Sequence, residues 1–340
     1  MKKNIFMSII LALCVLSLIL GAFTPVREQK MQEAAEKKAK TGNIQKIIGG
    51  NNDKVAIITL SGVISESETA ASPFSSGNSA SEVLKSLYEA KDDNSVKGII
   101  VKINSPGGTV GMSQNLYDAI LSARKKKPVI ASAQDMAASG GYYAASAADR
   151  IFALPGSITG SIGVIMTTMD LHKFLSDKLS ISENVVKSGK YKDTGSSTRA
   201  MTPDERALIQ GIVDDSFEQF KDAITKGRIE RNDSYSAPKT TLTKANLDKY
   251  ADGRVFTGRT AKKYGFVDAT GSEEELRETM KSMVKEKFPS VNVKNVEFVK
   301  YNASGGFWES LFGAETTSSA IENALPTSMK YARKPLYLWE

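Results

Sequence analysis

Short apolar runs alternate with amphipathic stretches along the middle of this 340-residue chain. The runs at residues 55–60, 96–103 and 128–133 predict buried strands, while apolar residues at helical spacing between them predict helices. One of these helices begins at Ser79, which forms a capping box with Glu82. Strands that alternate with helices predict an α/β fold with a mainly parallel sheet and flanking helices.

The same pattern continues in the second half of the chain. Thr202, Pro203 and Glu205 predict a helix start, because a threonine N-cap, a proline at the first helical position and an acid three residues after the cap favour one. We expect this helix to run to about residue 231 and to bury its apolar stripe. Residues 183–187 predict a further strand, which a loop follows.

An apolar run without a charge occupies residues 5–23, after a short tail that carries Lys2 and Lys3. About 20 apolar residues span a bilayer, whereas the apolar core of a signal peptide usually has about 7–15. A retained anchor over residues 1–26, with one transmembrane helix, is therefore favoured over a cleaved signal peptide. Basic residues on both sides of the run leave the positive-inside rule ambiguous. The secretory character of the run places the body outside the cytoplasm, at the cell membrane.

Three further segments follow the anchor. A charged, alanine-rich stretch predicts a stalk and linker over residues 27–53, and a folded domain is expected over residues 54–300. A tail occupies residues 301–340, is partly low in complexity at residues 304–324, and is expected to be partly mobile. Its apolar end, at residues 335–339, could dock in a groove of the protein or at an interface between chains.

Composition excludes several classes of function. Basic residues outnumber acidic ones by 45 to 38, but they are scattered, and no basic run with interleaved aromatic residues indicates nucleic-acid binding. Cys14 is the single cysteine and lies in the apolar run, which excludes an intrachain disulfide and a cysteine nucleophile in the folded domain. His172 is the single histidine, which excludes a zinc site built from several histidines. A carboxylate-only magnesium or calcium site remains open, but no EF-hand or P-loop pattern is present, and we expect neither a metal nor a cofactor.

A candidate nucleophile stands in the small-residue segment at residues 137–143, where Ser139 precedes two glycines. The segment follows a predicted strand and begins a predicted short helix. Unpaired N–H groups at a helix start and small neighbours leave room for an incoming carbonyl, which suits a nucleophilic serine. The same residues are also typical of an ordinary turn or helix cap.

A nucleophilic serine needs a base that accepts its proton. His172 lies at the start of a polar helix and is better explained as a surface residue. A lysine made neutral by burial is the alternative base. Lys192 fits, because it lies in a loop that a predicted strand returns to the sheet edge, and Lys190 would point the other way. An ordinary exposed loop lysine remains the alternative interpretation of Lys192.

Five short motifs occur in order along the chain: NSPGG at 104–108, AASGGYY at 137–143, ITGSIGV at 158–164, SGKYK at 188–192 and GRVFTG at 253–258. Together they resemble the bacterial signal peptide peptidase A (protease IV) family, in its short single-copy form. The resemblance covers roughly residues 54–287. It implies a Clp protease/crotonase-like fold and a serine protease with a Ser-Lys dyad.

The resemblance also implies roles for individual residues. Ser139 falls at the position of the nucleophile, Lys192 at that of the general base, and Ser161 at that of a serine that hydrogen-bonds the lysine. Candidates for the backbone N–H donors to an oxyanion are Gly107, Gly108 and Gly140. Without the resemblance, these residues are ordinary components of turns.

Remnant signal peptides left in the membrane are the substrates of this family, so the resemblance implies a membrane-anchored endopeptidase that degrades them. Family members assemble into rings, and a single-copy chain is expected to form a homo-oligomer, an octameric ring. The dyad could then be completed across a subunit boundary. Two other classes stay open: a crotonase-like acyl-CoA enzyme and a non-catalytic membrane scaffold of the same fold.

Overall fold

The computed structural model describes residues 53–66, 79–230, 235–236 and 241–301. The predicted anchor, nearly all of the predicted stalk, and residues 302–340 of the predicted tail lie outside this part of the chain. Within the described ranges, no helix has the length and apolar character needed to cross a membrane.

One sheet of eight strands forms the centre of the described residues. The strands are β1 Lys54–Ser61, β2 Val96–Ser105, β3 Val129–Ala138, β4 Arg150–Ala153, β5 Ile158–Gly160, β6 Val255–Thr257, β7 Ala269–Thr270 and β8 Glu297–Lys300. The main order is β6-β5-β3-β2-β1-β8, and β4 pairs with both β3 and β7. All pairings are parallel except that of β5 with β6, which confirms the predicted α/β fold with a mainly parallel sheet.

Helices cover both faces of this sheet. They are α1 Ala80–Asp92, α2 Val110–Lys126, α3 Gly140–Ala145, α4 His172–Leu179, α5 Pro203–Ile224, α6 Lys244–Tyr250, α7 Gly258–Tyr264 and α8 Glu273–Lys287. The predicted capping boxes at Ser79 and Thr202 are both present. Each box satisfies two backbone N–H groups that the first helical turn leaves without a partner.

The apolar core divides between the two faces, because successive side chains of a strand point to opposite sides. On β2, Ile99 and Val101 belong to the cluster that includes α1 and α2. Ile100, between them, belongs to the second cluster, which contains Met280 and Val284 of α8. Burial on both faces explains why this strand reads as a continuous apolar run.

Two predicted elements differ from the structure. Residues 183–187 form no strand, and Val186 is fully exposed, because no neighbouring strand pairs with this segment. The helix predicted to reach residue 231 ends at Ile224 and continues as a π-helical turn, Thr225–Ile229. At that turn the chain approaches Ser146 so closely that a Cβ on Gly227 would lie 2.3 Å from the Ser146 carbonyl oxygen.

Candidate active site

Ser139 lies between the end of β3 and the start of α3, and its backbone is strained. Its φ of 51° and ψ of −121° lie in a region that residues other than glycine rarely adopt. The Ser139 N–H donates to the Gly160 carbonyl at 2.9 Å, and the Ser139 carbonyl accepts from the Tyr143 N–H at 2.8 Å. The surrounding structure therefore holds the strain, which is typical of functional positions.

Tyr142 and Tyr143 anchor the short helix behind Ser139. The Tyr142 hydroxyl donates to the Phe266 carbonyl at 2.8 Å, and all six residues of α3 are buried. The Tyr143 ring lies edge-on to Tyr117, with centroids 5.4 Å apart. Since α3 cannot shift without disturbing the core, the serine has a fixed position.

The Pro-Gly-Gly loop after β2 presses against the start of α3. A Cβ on Gly107 would lie 2.6 Å from the Gly140 nitrogen, and a Cβ on Gly108 would lie 2.0 Å from the Ile64 carbonyl oxygen. A Cβ on Gly140 would lie 2.3 Å from Ser113 Oγ and 3.2 Å from the Gly108 nitrogen. These positions need glycine because the chain segments touch, and the contacts bring the N–H groups of Gly108 and Gly140 close together.

The backbone hydrogen bonds between Ile64 and the glycine loop do not use the Gly108 N–H. The Ile64 N–H donates to the Gly107 carbonyl at 2.8 Å, and the Thr109 N–H donates to the Ile64 carbonyl at 2.8 Å. Gly108 and Gly140 line the same cavity as Ser139, whereas Gly107 does not. Of the three predicted oxyanion donors, the structure thus brings two to the cavity wall.

A cavity of about 720 Å³ opens beside Ser139, within the size range of small-ligand and peptide pockets. Ser161 lines it together with Ser139. Its apolar wall consists of Pro106, Val110, Tyr143, Ile162, Val164, Ile165, Val213, Phe217 and Phe220. Polar groups on its wall include Ser113, Asp214, Ser216 and Asp252. The cavity suits an apolar side chain held next to a serine hydroxyl.

A second strained turn positions Ser161 at the cavity wall. Its φ is 50°, that of Gly160 is 90°, and the Ser161 N–H donates to the Arg254 carbonyl at 2.8 Å. A hydrogen bond of 3.0 Å from the Gly253 N–H to the Ile162 carbonyl extends this pairing. The motifs at 158–164 and 253–258 therefore meet as neighbouring segments at one side of the cavity.

The apolar stripe that we expected α5 to bury consists of Leu208, Ile209, Ile212, Val213, Phe217, Phe220 and Ile224. Of these, Val213, Phe217 and Phe220 line the cavity. That prediction was wrong for part of the stripe, because Leu208 and Ile212 are about half exposed. The sequence signal was the helical spacing of these apolar residues. It did not tell a core position from a cavity wall, because both require apolar residues.

Lys192 is exposed and does not line the cavity. It lies in a run of turns, where its N–H donates to the Gly189 carbonyl at 3.2 Å. This run is part of an arm, residues 163–200, that follows β5 and leads to α5. A single chain thus brings together Ser139, Ser161, Gly108 and Gly140 but not the predicted base.

Two other candidate bases have partners of their own. Lys190 Nζ lies 2.5 Å from Asp204 Oδ2, and that hydrogen bond raises the pKa of Lys190 above its usual value. His172 Nδ1 lies 2.6 Å from Asp170 Oδ1, and His172 does not line the cavity. Among the described residues, no cluster of three or more His, Cys, Asp and Glu could hold a metal ion.

Two family models match the residues that build this site. Peptidase family S49 matches residues 122–287, and the Clp protease family matches residues 54–160. A putative protease of Methanocaldococcus jannaschii is 32% identical over 246 residues, which cover 69% of this chain and 75% of that protein. The chain belongs to peptidase family S49. It is a serine protease, on an α/β fold like that of Clp protease.

Two further relatives match a smaller share of their own length. A putative protease of Synechocystis is 38% identical over 196 residues, 58% of this chain and 66% of that protein. The putative signal peptide peptidase SppA of Enterococcus faecium is 29% identical over 234 residues, 68% of this chain and 64% of that protein. The match thus covers less than two thirds of either relative. Family membership favours the protease over the acyl-CoA enzyme and the scaffold.

Proposed function

We propose that this S49 protease is a membrane-anchored endopeptidase with Ser139 as nucleophile and Lys192 as general base, and that it degrades remnant signal peptides. The observation that carries the proposal is the strained turn at Ser139. It holds the hydroxyl at a cavity wall beside the N–H groups of Gly108 and Gly140. Such N–H groups stabilise the negative charge that develops on a carbonyl oxygen under attack.

The proposed reaction is acyl transfer in two steps. Neutral Lys192 accepts the proton of the Ser139 hydroxyl as the oxygen attacks a peptide carbonyl carbon, and the oxyanion lies against the Gly108 and Gly140 N–H groups. The lysine then protonates the departing amine, and an ester to Ser139 remains. Water attacks the ester carbonyl carbon while the lysine again accepts a proton. The lysine then returns this proton to Ser139 Oγ as the ester C–O bond breaks, and the carboxylic acid leaves. Ser161, on the same wall, would hydrogen-bond the lysine amine.

Of the two lysines in the SGKYK motif, Lys192 suits this role better. A lysine base has to be neutral, so a neighbouring carboxylate that favours the charged form works against it. Lys190 has such a neighbour in Asp204. Lys192 has no ion-pair partner among the described residues and is free to reach another surface.

We further propose that a second copy of the chain receives Lys192 at its own Ser139 cavity. In one chain the lysine is exposed, and burial is what favours a neutral amine. The same arm exposes many large apolar side chains: Ile165, Met166, Met169, Leu171, Phe174, Leu179, Ile181, Val185 and Val186. Apolar surface of this extent typically marks an interface between proteins. Repeated head-to-tail contacts of this kind close into a ring, and an octamer is the proposed form.

The proposed substrates fit the apolar wall of the cavity and the apolar run at residues 5–23. A peptidase anchored by that run, with its body outside the cytoplasm, would meet signal peptides where they remain after secretion. The enterococcal relative carries the name signal peptide peptidase, which supports the same substrate class.

A mixing experiment tests the dyad and its arrangement. Ser139→Ala and Lys192→Met chains are each purified, then unfolded and refolded together, and cleavage of a signal peptide is measured. We expect each variant alone to be inactive and the mixture to regain about a quarter of wild-type activity, since about a quarter of interfaces would pair an intact serine with an intact lysine. Lys190→Met is the matched control and keeps activity.

Two outcomes would contradict the proposal. Full activity of a folded Lys192→Met protein would show that another group is the base. Mixed assemblies without activity would show that serine and lysine of the same chain act together.

A further inference from the structure

One cluster of ion pairs ties the turn of Lys192 to the start of α5. Arg199 Nε donates to Asp193 Oδ2 at 2.8 Å, and Arg199 Nη2 donates to Asp193 Oδ1 at 2.7 Å. Arg199 Nη1 donates to Glu205 Oε2 at 2.9 Å. One guanidinium thus joins two carboxylates, and Asp193 directly follows Lys192 in the chain.

Further hydrogen bonds make this cluster rigid. Lys187 Nζ lies 2.5 Å from Asp193 Oδ1, and Arg199 Nη2 also donates to the Asp193 carbonyl at 3.1 Å. Thr202 N–H donates to Glu205 Oε2 at 2.9 Å as part of the α5 capping box. The side chains of Glu205 and Asp193 are only 3% and 13% exposed. Fixed polar neighbours and shielding from water distinguish this cluster from an ordinary surface ion pair.

Apolar packing does not hold the same segment. None of the residues of α4 is buried, and Tyr191 and Lys192 are exposed. The backbone bonds within the turn, from Thr194 N–H to Tyr191 carbonyl at 3.2 Å and from Ser196 N–H to Asp193 carbonyl at 3.0 Å, are local ones. The shape of the turn therefore depends on the hydrogen bonds that Arg199 donates to Asp193 and Glu205.

We propose that Arg199, through Asp193 and Glu205, is a positioning residue for the base: it fixes the turn from which Lys192 reaches the nucleophile. This inference rests on the proposed role of Lys192. A base contributes fully only when its atoms are held in place before the reaction, and a displacement of about 1 Å can cost about 100-fold in rate. Arg199 does not line the cavity at Ser139, so its proposed action is through the lysine.

The geometry of the contacts makes arginine specific at this position. Its planar fork engages both oxygens of Asp193 while a third nitrogen reaches Glu205. A lysine offers one ammonium group and cannot form this set of parallel bonds. Arg199→Lys is therefore expected to restore only part of what Arg199→Gln removes.

The test compares Arg199→Gln with Lys190→Gln. The control pair, Lys190 with Asp204, joins the same loop to the same first turn of α5, but both side chains are more than half exposed. We expect Arg199→Gln to lower kcat about 10- to 100-fold with KM changed less than about twofold, and the assembly to keep its size. Lys190→Gln is expected to stay within about twofold of wild type in both constants.

The mixing experiment distinguishes positioning of the lysine from a general loss of structure, because Arg199→Gln can be placed on only one of the two chains. Arg199→Gln is placed either on the Ser139→Ala chain, which supplies the lysine, or on the Lys192→Met chain, which supplies the serine. In mixed assemblies we expect the same loss of kcat in the first case and none in the second. Glu205→Gln, which keeps the size of the side chain, replaces Arg199→Gln if the latter does not assemble.

Three results would overturn the inference: wild-type kcat in folded Arg199→Gln, an effect on KM alone, or an equal loss on both chains. Each of these leaves the role of Lys192 intact if Lys192→Met is inactive. An active Lys192→Met protein would instead refute the proposed function, so the two failures are distinguishable.

Discussion

Ser139 precedes a helix whose six residues are all buried, whereas Lys192 lies in an arm whose helix, α4, buries none of its residues. The position of the serine is set by a parallel sheet, by a glycine loop in contact with it and by a hydrogen bond to Gly160. The position of the lysine is set by ion pairs within its own loop and between that loop and the start of α5. One half of the proposed site is built by packing and the other by polar contacts.

Under the proposed mechanism, this difference lets a chain combine a rigid nucleophile with a base that another subunit can use. A base anchored in the core could not reach across an interface. A loop without internal polar contacts would lose its shape before assembly, and ordering it would then cost binding free energy. The cluster around Arg199 holds the loop in shape without burying it.

The largest expected effect is at the nucleophile. Ser139→Ala should lower kcat by at least about 1,000-fold, because a hydroxyl that forms the acyl-enzyme has no substitute. A fluorophosphonate probe should label the wild type and leave Ser139→Ala unlabelled. Labelling of Ser139→Ala at wild-type extent would place the reactive serine elsewhere.

The next largest expected effect is the contrast between a glycine substitution beside Ser139 and one in the arm. Gly108→Ala is expected to lower kcat about 100-fold and to destabilise the fold, because its Cβ would meet a backbone oxygen at 2.0 Å and move an oxyanion donor. Gly189→Ala, in the arm, has nothing within 4 Å of its Cβ and should leave both activity and Tm unchanged. Steady-state kinetics and thermal unfolding measure the contrast, and equal effects would contradict it.

The exposed apolar residues of the arm should affect assembly more than folding. Val186 is fully exposed and Phe174 is 55% exposed. Phe174→Ser with Val186→Ser is expected to weaken assembly, seen by sedimentation, and to lower activity in proportion. Tyr88→Ser, 46% exposed on α1, is the control and should keep the wild-type size. A double variant that assembles fully would refute the interface proposed for the arm.

The smallest expected effect is a change in stability with pH. Arg199 holds the pKa values of Asp193 and Glu205 well below their ordinary range. Such carboxylates stabilise the fold above the pKa of the unfolded chain and lose that contribution as pH falls. The Tm difference between wild type and Arg199→Gln should be largest above about pH 5 and shrink below about pH 4. A difference that grows toward acid pH would have the wrong sign.

Sequence patterns predicted the parts of the fold that packing determines. Apolar runs located β1, β2 and the first half of β3, and capping residues located the starts of α1 and α5. The rest of β3 was missed because Gln134 and Asp135 interrupt the apolar run, although β5 pairs just beyond them. Pairing depends on a partner strand that local sequence does not show.

In the candidate site too, features set by local packing were predicted from sequence, and contacts with residues elsewhere in the chain were not. Small residues around Ser139 predicted room for an incoming carbonyl, and the structure adds that Gly107, Gly108 and Gly140 stand where chain segments touch. The sequence left two interpretations of Lys192 open, a buried base and an ordinary exposed loop lysine, because a loop lysine has no periodicity that tells inside from outside. In one chain the lysine is exposed. The contacts between Asp193 and Arg199 were missed for a related reason: charged residues in a loop are ordinary unless their partners are known.

The backbone at Ser139 also bears on how activity could be lost over evolutionary time. Glycine adopts a positive φ without strain, and a residue held there costs about 1–3 kcal/mol. Replacing the serine with glycine would therefore abolish cleavage and stabilise the protein in one step. Under the proposed mechanism, stability alone would favour glycine at this position, and the need for peptide cleavage would be what favours serine.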